Sequence, residues 1–162
     1  MKTFEFWFDF GSPAAYLAST QIAGIESATG ARAVWRPMLL GGVFQATGNH
    51  SPATIPAKGR YIFRDFDRFA RRYGVPLNSN PHFPINTLLL MRGAVGLQLR
   101  DPGRFPEYCT AMFRAIWVDA LDMNDPAEKA VLDLQGAKKF VPARAEDFAV
   151  IEQVGRSTGL LK

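Results

Sequence analysis

Three observations predict an α/β fold for this chain of 162 residues. An apolar run, FEFWFDF, opens the chain and has the length of a buried strand. The run breaks at Gly-Ser-Pro and passes into the helix-forming segment PAAYLA. A second apolar segment, ARAVWRPML, resumes strand character after this helix. Two strands joined through a helix lie parallel in one sheet, so the N-terminal part is predicted to be a βαβ unit.

The first strand is predicted to be a central one. Its Phe residues alternate with Glu5 and Asp9, but Trp7 makes both faces largely apolar, as in a strand that is buried on both sides. The helix that follows begins after Ser12, because Pro13 fits the first helical turn and a serine before it is a good N-cap. We expect this helix to span residues 14–28.

The middle of the chain is predicted to be helical. From residue 40 to about residue 59, Gly, Pro, Ser, Thr and Asn are frequent, which indicates a long irregular loop with at most a short helix at GGVFQATG. Proline residues and apolar periodicity then mark three further helices, which we expect over residues 58–73, 85–99 and 105–121.

The composition restricts the chemistry. The single cysteine, Cys109, excludes an intramolecular disulfide and a Cys-x-x-Cys pair, and we favour a small buried side chain over a reactive thiol. His50 and His82 lie in polar stretches without metal-ligand spacing, so we expect no metal. No apolar run approaches the roughly 20 residues that span a bilayer, and no secretory signal is evident. We expect a cytoplasmic protein that does not bind membranes.

The positive charge is concentrated on one predicted helix. The formal net charge is +4, and much of the excess lies between Lys58 and Arg72. The same helix carries apolar residues at helical spacing on its other face. Since no recognised nucleic-acid motif accompanies the charges, we interpret them as a solvated face and expect no nucleic acid as a partner.

The strand-to-helix junction is the place where chemistry is expected. A helix N-terminus gathers unpaired N–H groups and a partial positive charge, and Ser12 adds a hydroxyl. Both favour an anion, so a thiol delivered there would have its pKa lowered. The alternative is that Ser12 is an ordinary N-cap, which contributes about 1 kcal/mol to stability.

The junction motif carries a family resemblance. FDFGSPAAYLA resembles the signature of the 2-hydroxychromene-2-carboxylate isomerase family, which is related to kappa-class glutathione transferases in the thioredoxin superfamily. Further similarity runs through FPINTLLLMRGA and AMFRAIWVDALDMND, so the resemblance covers residues 1 to about 135. It implies a thioredoxin-like βαβ unit (1–40) and a helical insertion domain (41–136), followed by a returning ββα unit. After Gly136 the motifs of that unit are not recognisable, so we expect a divergent tail (137–162) in which it is missing or replaced.

The resemblance also implies a function. Glutathione would be the cofactor, and Ser12, as the catalytic residue, would contact its sulfur. The family reaction interconverts 2-hydroxychromene-2-carboxylate and trans-o-hydroxybenzylidenepyruvate, a step of naphthalene breakdown, so an aromatic carboxylate is the expected substrate. Two alternatives stay open. One is a kappa-like transferase, and the other is a noncatalytic binding protein that has lost half of the site. Two strands leave a sheet face that must be covered, by a partner chain, by a tail that replaces the missing layer, or by a segment lost through a frameshift or truncation. Of these, we expect a homodimer.

Five further residues match the family's motifs. Asn49 and Lys58 are expected near glutathione, where loop capping and contact with solvent are the alternative roles. Asn86, Arg92 and Trp117 are expected to bind substrate. For these three the alternatives are a helix cap, a surface charge and a place in the core, respectively.

Overall fold

A computed structural model describes residues 1–125 of the protein. These residues form two strands and six α-helices in an alternating order at the N-terminus, followed by helices alone. The elements in chain order are β1 (Thr3–Phe8), α1 (Pro13–Ser19), α2 (Ile22–Thr29), β2 (Arg32–Pro37), α3 (Leu40–Thr47), α4 (Pro56–Tyr73), α5 (Leu88–Arg100) and α6 (Phe105–Trp117).

The two strands confirm the predicted βαβ unit. β1 and β2 pair in parallel, in a register that runs from Thr3 opposite Arg32 to Phe8 opposite Pro37. Phe6 and Trp35 face each other on one side of the sheet, with ring centroids 4.9 Å apart. Within residues 1–125, β1 pairs with β2 alone. The central position expected for β1 therefore stays a prediction.

The outer edge of β2 is obstructed by side chains. The N–H of Ala33 donates to Glu26 Oε1 at 2.8 Å, and Gln98 Nε2 donates to the carbonyl of Trp35 at 2.8 Å. Pro37 has no N–H to offer. These features leave that edge poorly suited to pairing with another strand.

The single helix expected over residues 14–28 is wrong, because the segment forms two helices. α1 ends at Ser19 and α2 begins at Ile22. At the break, Ser19 Oγ donates to the carbonyl of Tyr16 at 2.6 Å and Thr20 Oγ1 donates to that of Leu17 at 2.7 Å. Hydroxyl groups that bond to nearby carbonyls in this way compete with the continuing helix.

The region expected to be a long loop is more ordered than predicted. The short helix is confirmed as α3, a 3₁₀ turn covers Pro52–Thr54, and α4 already begins at Pro56. The 3₁₀ turn packs closely on α4, since a Cβ atom at Gly59 would lie 3.2 Å from the carbonyl oxygen of Ala53. That close approach leaves no space for a larger residue at position 59.

The last two described helices are shorter than their sequence pattern indicates. α5 starts at Leu88, because residues 85–87 after Pro84 are irregular and do not form the predicted first turn. α6 ends at Trp117, where Ala120 adopts a positive φ of 54° and the N–H of Leu121 returns to the carbonyl of Ala115 at 2.9 Å. The chain therefore turns away before the predicted end at residue 121.

The core forms where β1 meets α6 and α5. Its fully buried members include Phe8, Phe10, Met91, Cys109 and Trp117. Phe10 and Phe113 pack edge to face at 5.0 Å, as aromatic rings prefer. The core thus lies directly beneath the junction between β1 and α1.

Two further expectations concern the C-terminal tail and the absence of a membrane-spanning helix. The predicted tail, residues 137–162, and the end of the helical insertion domain lie outside the described residues. Among residues 1–125, none of the helices has both the length and the apolar character that a membrane crossing requires.

Candidate active site at the start of helix α1

Ser12 occupies the N-cap of α1, as its sequence context predicts. Its backbone is extended, with φ of −99° and ψ of 112°, and its Oγ accepts the N–H of Ala15 at 3.2 Å. The residue is half-buried, and within residues 1–125 no protein group accepts its hydroxyl proton. Ser12 therefore keeps one donor for a ligand at the electropositive end of the helix.

A buried carboxylate anchors the turn that carries Ser12. Asp9 is 2% exposed, and its Oδ1 accepts the N–H of Gly11 at 2.8 Å. Its Oδ2 accepts the N–H of Leu40, the first residue of α3, at 2.7 Å. The carbonyl of Asp9 in turn accepts the N–H of Ser12 at 3.0 Å. One residue thus fixes the turn and joins it to the start of α3.

Gly11 allows the turn to lie close against the segment before α5. A Cβ atom at this position would lie 3.1 Å from Thr87 Cγ2 and 3.8 Å from the carbonyl oxygen of Ile85. Thr87 and Ile85 are both buried. A larger residue at position 11 would therefore push the turn away from its support.

Phe10 is held at both ends of its backbone by distant residues. Its N–H donates to the sulfur of Met91 at 3.4 Å, and its carbonyl accepts the indole N–H of Trp117 at 2.7 Å. Trp117 is 1% exposed, and its ring packs 6.0 Å from that of Phe83. Trp117 therefore has the core position that was given as its alternative role, and it supports the turn through its bond to Phe10, while binding of substrate by Trp117 stays a prediction.

Asn49 and Lys58 lie on the surface after α3. Both side chains are exposed, and Asn49 Oδ1 accepts the N–H of His50 at 2.8 Å. Lys58 lies in the first turn of α4, and the described part of the chain holds no ion pair that involves it. The loop-capping role of Asn49 is thus visible, while the expected contacts with glutathione stay predictions.

Asn86 and Arg92 lie at and near the start of α5. Asn86 is exposed, its Oδ1 accepts the N–H of Leu88 at 3.1 Å, and its own N–H donates to Asn124 Oδ1 at 2.9 Å. The bond to Leu88 closes a local turn one residue before the N-cap of α5, Thr87, whose own side chain makes no capping bond. Arg92 is half-buried on α5. Binding of substrate by either residue stays a prediction.

The cysteine and the histidines take structural or surface positions. Cys109 is 1% exposed, and burial raises the pKa of its thiol far above the usual range, so it is a poor nucleophile. His82 Nδ1 lies 3.4 Å from Asp122 Oδ2 near the surface, and His50 is exposed. Over residues 1–125, no group of three or more His, Cys, Asp or Glu side chains has the arrangement of a metal site.

Sequence reasoning missed the residues that build the turn around Ser12. Asp9 gives the one visible signal, since a carboxylate flanked by Phe8 and Phe10 at the end of a buried strand is bound to need partners. Met91 and Thr87 give none, because an apolar and a small polar residue in a helical stretch look ordinary. Their role depends on contacts across more than 70 residues.

Comparison with known proteins places the whole chain in one family. The model of the DsbA-like thioredoxin domain matches residues 3–161. This match reaches beyond residue 135, where the similarity that is visible in individual motifs ends. It agrees with the predicted thioredoxin-like α/β class and with the parallel pair of strands described above.

Individual relatives agree with the family resemblance. The chain is 30% identical to a 2-hydroxychromene-2-carboxylate isomerase of Sphingobium xenophagum over 152 residues, covering 89% of this chain and 76% of the relative. It is 23% identical to glutathione S-transferase kappa 1 of Rattus norvegicus, covering 99% and 71%. A solved 2-hydroxychromene-2-carboxylate isomerase superposes with a TM-score of 0.73 at 22% identity, covering 96% of this chain and 78% of that structure.

Proposed function

Since this chain belongs to the DsbA-like thioredoxin domain family, we propose that it is a glutathione-dependent isomerase of a small aromatic carboxylate. The proposed reaction interconverts 2-hydroxychromene-2-carboxylate and trans-o-hydroxybenzylidenepyruvate. Support comes from the relative that bears the isomerase name and covers 89% of this chain. The motif FDFGSPAAYLA, which carries the resemblance, is also the stretch that the buried Asp9 anchors.

The observation that carries the proposal is that, among residues 1–125, no protein group accepts the hydroxyl proton of Ser12. Its Oγ accepts the N–H of Ala15 and retains a proton at the N-terminus of α1. A thiolate is an anion, so hydrogen bonding by this hydroxyl and the positive end of the helix both stabilise it. We therefore assign to Ser12 the position beside the glutathione sulfur, with the thiol bound there in ionised form.

The proposed chemistry needs the sulfur and not an ionisable group of the protein. The glutathione thiolate adds to one carbon of the carbon–carbon double bond in the ring-opened substrate and forms a C–S bond. The electron pair of that double bond moves towards the conjugated carbonyl, which becomes an enolate. The former double bond is then single and rotates. Return of the electron pair expels the thiolate and re-forms the double bond in the other geometry. Ser12 holds the sulfur in place throughout.

Other residues are assigned to binding in the same proposal. Lys58 is an exposed cation and Asn49 an exposed amide, so they are suited to the carboxylates of glutathione. Asn86 and Arg92 are assigned to the substrate, with Arg92 as partner of its carboxylate. Trp117 is assigned to the support of the turn, because it is buried.

The second candidate is a kappa-like glutathione transferase, which the similarity to kappa transferases supports. Both reactions use the glutathione thiolate at Ser12. They differ in whether the C–S bond breaks again, as in the isomerisation, or remains in the product, as in the conjugation. The test is an absorbance assay with the chromene carboxylate beside a chloronitrobenzene conjugation assay, each with and without glutathione. Isomerisation that requires glutathione supports the first candidate, and conjugation alone supports the second. Activity in neither assay contradicts both.

We further propose that the protein is a cytoplasmic homodimer. Glutathione keeps thiols reduced in the cytosol, where a reduced cofactor would be available. Within residues 1–125 the sheet has two strands, which is marginal for a sheet by itself, and side chains obstruct the outer edge of β2. A second copy would then supply cover for the remaining parts of the sheet. Light scattering after gel filtration tests this, and a monomer at micromolar concentration would contradict it.

A further inference from the structure

A cavity lies between α1 and α6, at the end of α1 away from Ser12. Its volume is about 380 Å³, which is within the size range of small-molecule sites. α1 contributes Tyr16 and Ser19, and α6 contributes Thr110, Phe113 and Arg114. Tyr16 lies four residues after Ser12, so at about 1.5 Å of rise per residue the α1–α6 cavity begins roughly 6 Å along the helix from Ser12.

The walls of the cavity are aromatic. Trp35 and Phe105 line one part and meet edge to face with centroids 6.2 Å apart. Tyr16 and Phe113 line another part, with centroids 6.0 Å apart. Flat aromatic molecules pack well against such rings, by offset stacking or edge-to-face contact. The walls therefore favour a flat, apolar ligand body.

The hydroxyl groups around the cavity have already donated their protons. Tyr16 Oη donates to the carbonyl of Pro76 at 2.6 Å, Ser19 Oγ to that of Tyr16 at 2.6 Å, and Thr110 Oγ1 to that of Pro106 at 3.0 Å. Burial raises the pKa of Tyr16, so its phenol keeps its proton. These groups offer a ligand oxygen lone pairs only, and the matching ligand group is a hydrogen-bond donor.

The charge at the rim is neutralised. Arg114 Nε and Nη2 donate to the two carboxylate oxygens of Asp119 at 3.2 and 3.3 Å. An anionic ligand would gain little from a cation that is paired in this way, and it would lose hydration against the aromatic walls. A neutral ligand does not carry that cost.

We propose that the α1–α6 cavity binds a flat, neutral aromatic alcohol, whose hydroxyl donates to Thr110 Oγ1. The site is separate from that of Ser12 and does not depend on the function proposed there. The phenol class fits because it joins an apolar ring to one donor. Its size is limited to one or two fused rings by the volume of the cavity.

The first test uses 2-naphthol and 2-methoxynaphthalene as probes in titration calorimetry with the full chain in one cosolvent. The two share the ring system, but the ether lacks the proton. The proposal predicts that 2-naphthol binds about fivefold to tenfold more tightly, the contribution of one hydrogen bond. 2-Naphthoate, an anion with the same rings, is expected to bind more weakly than 2-naphthol.

The second test removes the acceptor while keeping its shape. Thr110→Val should weaken 2-naphthol binding about fivefold and leave 2-methoxynaphthalene binding unchanged. Thr47→Val is the matched control, because Thr47 makes the same bond to a carbonyl one turn earlier, Oγ1 to Val43 at 2.8 Å, on α3 outside the cavity. Ser12→Ala should also leave 2-naphthol binding unchanged, which separates this site from the proposed active site.

A third variant blocks the cavity. Thr110→Phe should abolish the binding of both neutral probes, and circular dichroism checks that it is folded. Equal affinity of the wild type for the alcohol and the ether, or no heat with either probe at its solubility limit, overturns the proposal without any variant. An equal effect of Thr110→Val and Thr47→Val overturns it as well.

Discussion

The turn that carries Ser12 and the surface segment that carries Asn49 and Lys58 are proposed to hold the same ligand, but they are built differently. The turn is fixed by partners far away in the chain, namely Leu40, Met91 and Trp117. The surface segment is held by local bonds, in which the N–H of His50 donates to Asn49 Oδ1 and that of Ala53 donates to Ser51 Oγ. The turn at Ser12 is therefore supported by the core, whereas the surface segment is supported by hydrogen bonds between residues that are close in the sequence.

This difference suggests that the two regions have different roles in binding glutathione. A reacting sulfur must be held within a fraction of an ångström, and buried contacts from several elements provide such support. A carboxylate of a flexible peptide needs only a cation within reach, which an exposed lysine supplies. We therefore expect the turn to govern turnover and stability, and the surface segment to govern affinity alone.

The largest expected effect is on stability. Asp9→Ala leaves the N–H groups of Gly11 and Leu40 without an acceptor, and each lost bond to a charged group costs about 1.5 kcal/mol. The free energy of unfolding should fall by about 3 kcal/mol. Asn49→Ala removes a bond in the exposed segment and should change it by less than about 0.5 kcal/mol. Chemical denaturation measures both.

Asp9→Asn sharpens this comparison, because the amide keeps one acceptor oxygen in the same shape. Its loss of stability should lie between those of Asp9→Ala and Asn49→Ala. If Asp9→Ala were no more harmful than Asn49→Ala, the turn would not be anchored as described.

The second effect is on turnover. Ser12→Ala should lower kcat of the glutathione-dependent reaction at least about tenfold, as expected for the loss of a charge-assisted hydrogen bond. Ser51→Ala is the matched control, since Ser51 is the N-cap of the 3₁₀ turn and accepts the N–H of Ala53 at 3.3 Å. The kcat of Ser51→Ala should stay within about twofold of the wild-type value, because this variant loses only an ordinary capping bond, which contributes to stability. Equal rates for both variants would remove Ser12 from the mechanism.

The smallest effect is on affinity. Lys58→Ala should raise the KM for glutathione about threefold to fivefold and leave kcat unchanged, because an exposed ion pair contributes no more than about 1 kcal/mol. Arg60→Ala, which removes an exposed cation from the same helix, should leave both constants unchanged. Added salt should reduce the difference between the two variants. A fall in kcat for Lys58→Ala would contradict the expectation that the surface segment governs affinity alone.

The features predicted well from the sequence depend on neighbouring residues. The parallel βαβ unit follows from two apolar segments around a helix, and the position of Ser12 follows from Pro13 and the start of an apolar periodicity. The short α3 helix was also visible in the sequence. Each of these signals lies within one turn or one strand, where local propensity decides.

The features that were missed depend on partners that lie far apart in the sequence. The bond of Asp9 to Leu40 crosses 31 positions, and that of Trp117 to Phe10 crosses 107. α3 has no side-chain cap of its own, and the carboxylate of Asp9 supplies the acceptor for its first N–H. No local window contains both partners, so neither the anchor at Asp9 nor the bond from Trp117 to Phe10 was apparent, although a core position for Trp117 was one of its expected roles.

The central claim is that the turn at Ser12 keeps the sulfur of bound glutathione ionised. The pKa of the bound glutathione thiol tests this claim most directly. Ultraviolet absorbance of the thiolate, followed against pH in the complex with the full chain, gives this value. A free thiol has a pKa of about 8.5. The account predicts a value well below that in the wild type and a rise towards it in Ser12→Ala. A bound thiol that titrates like the free one, in both proteins, would contradict it.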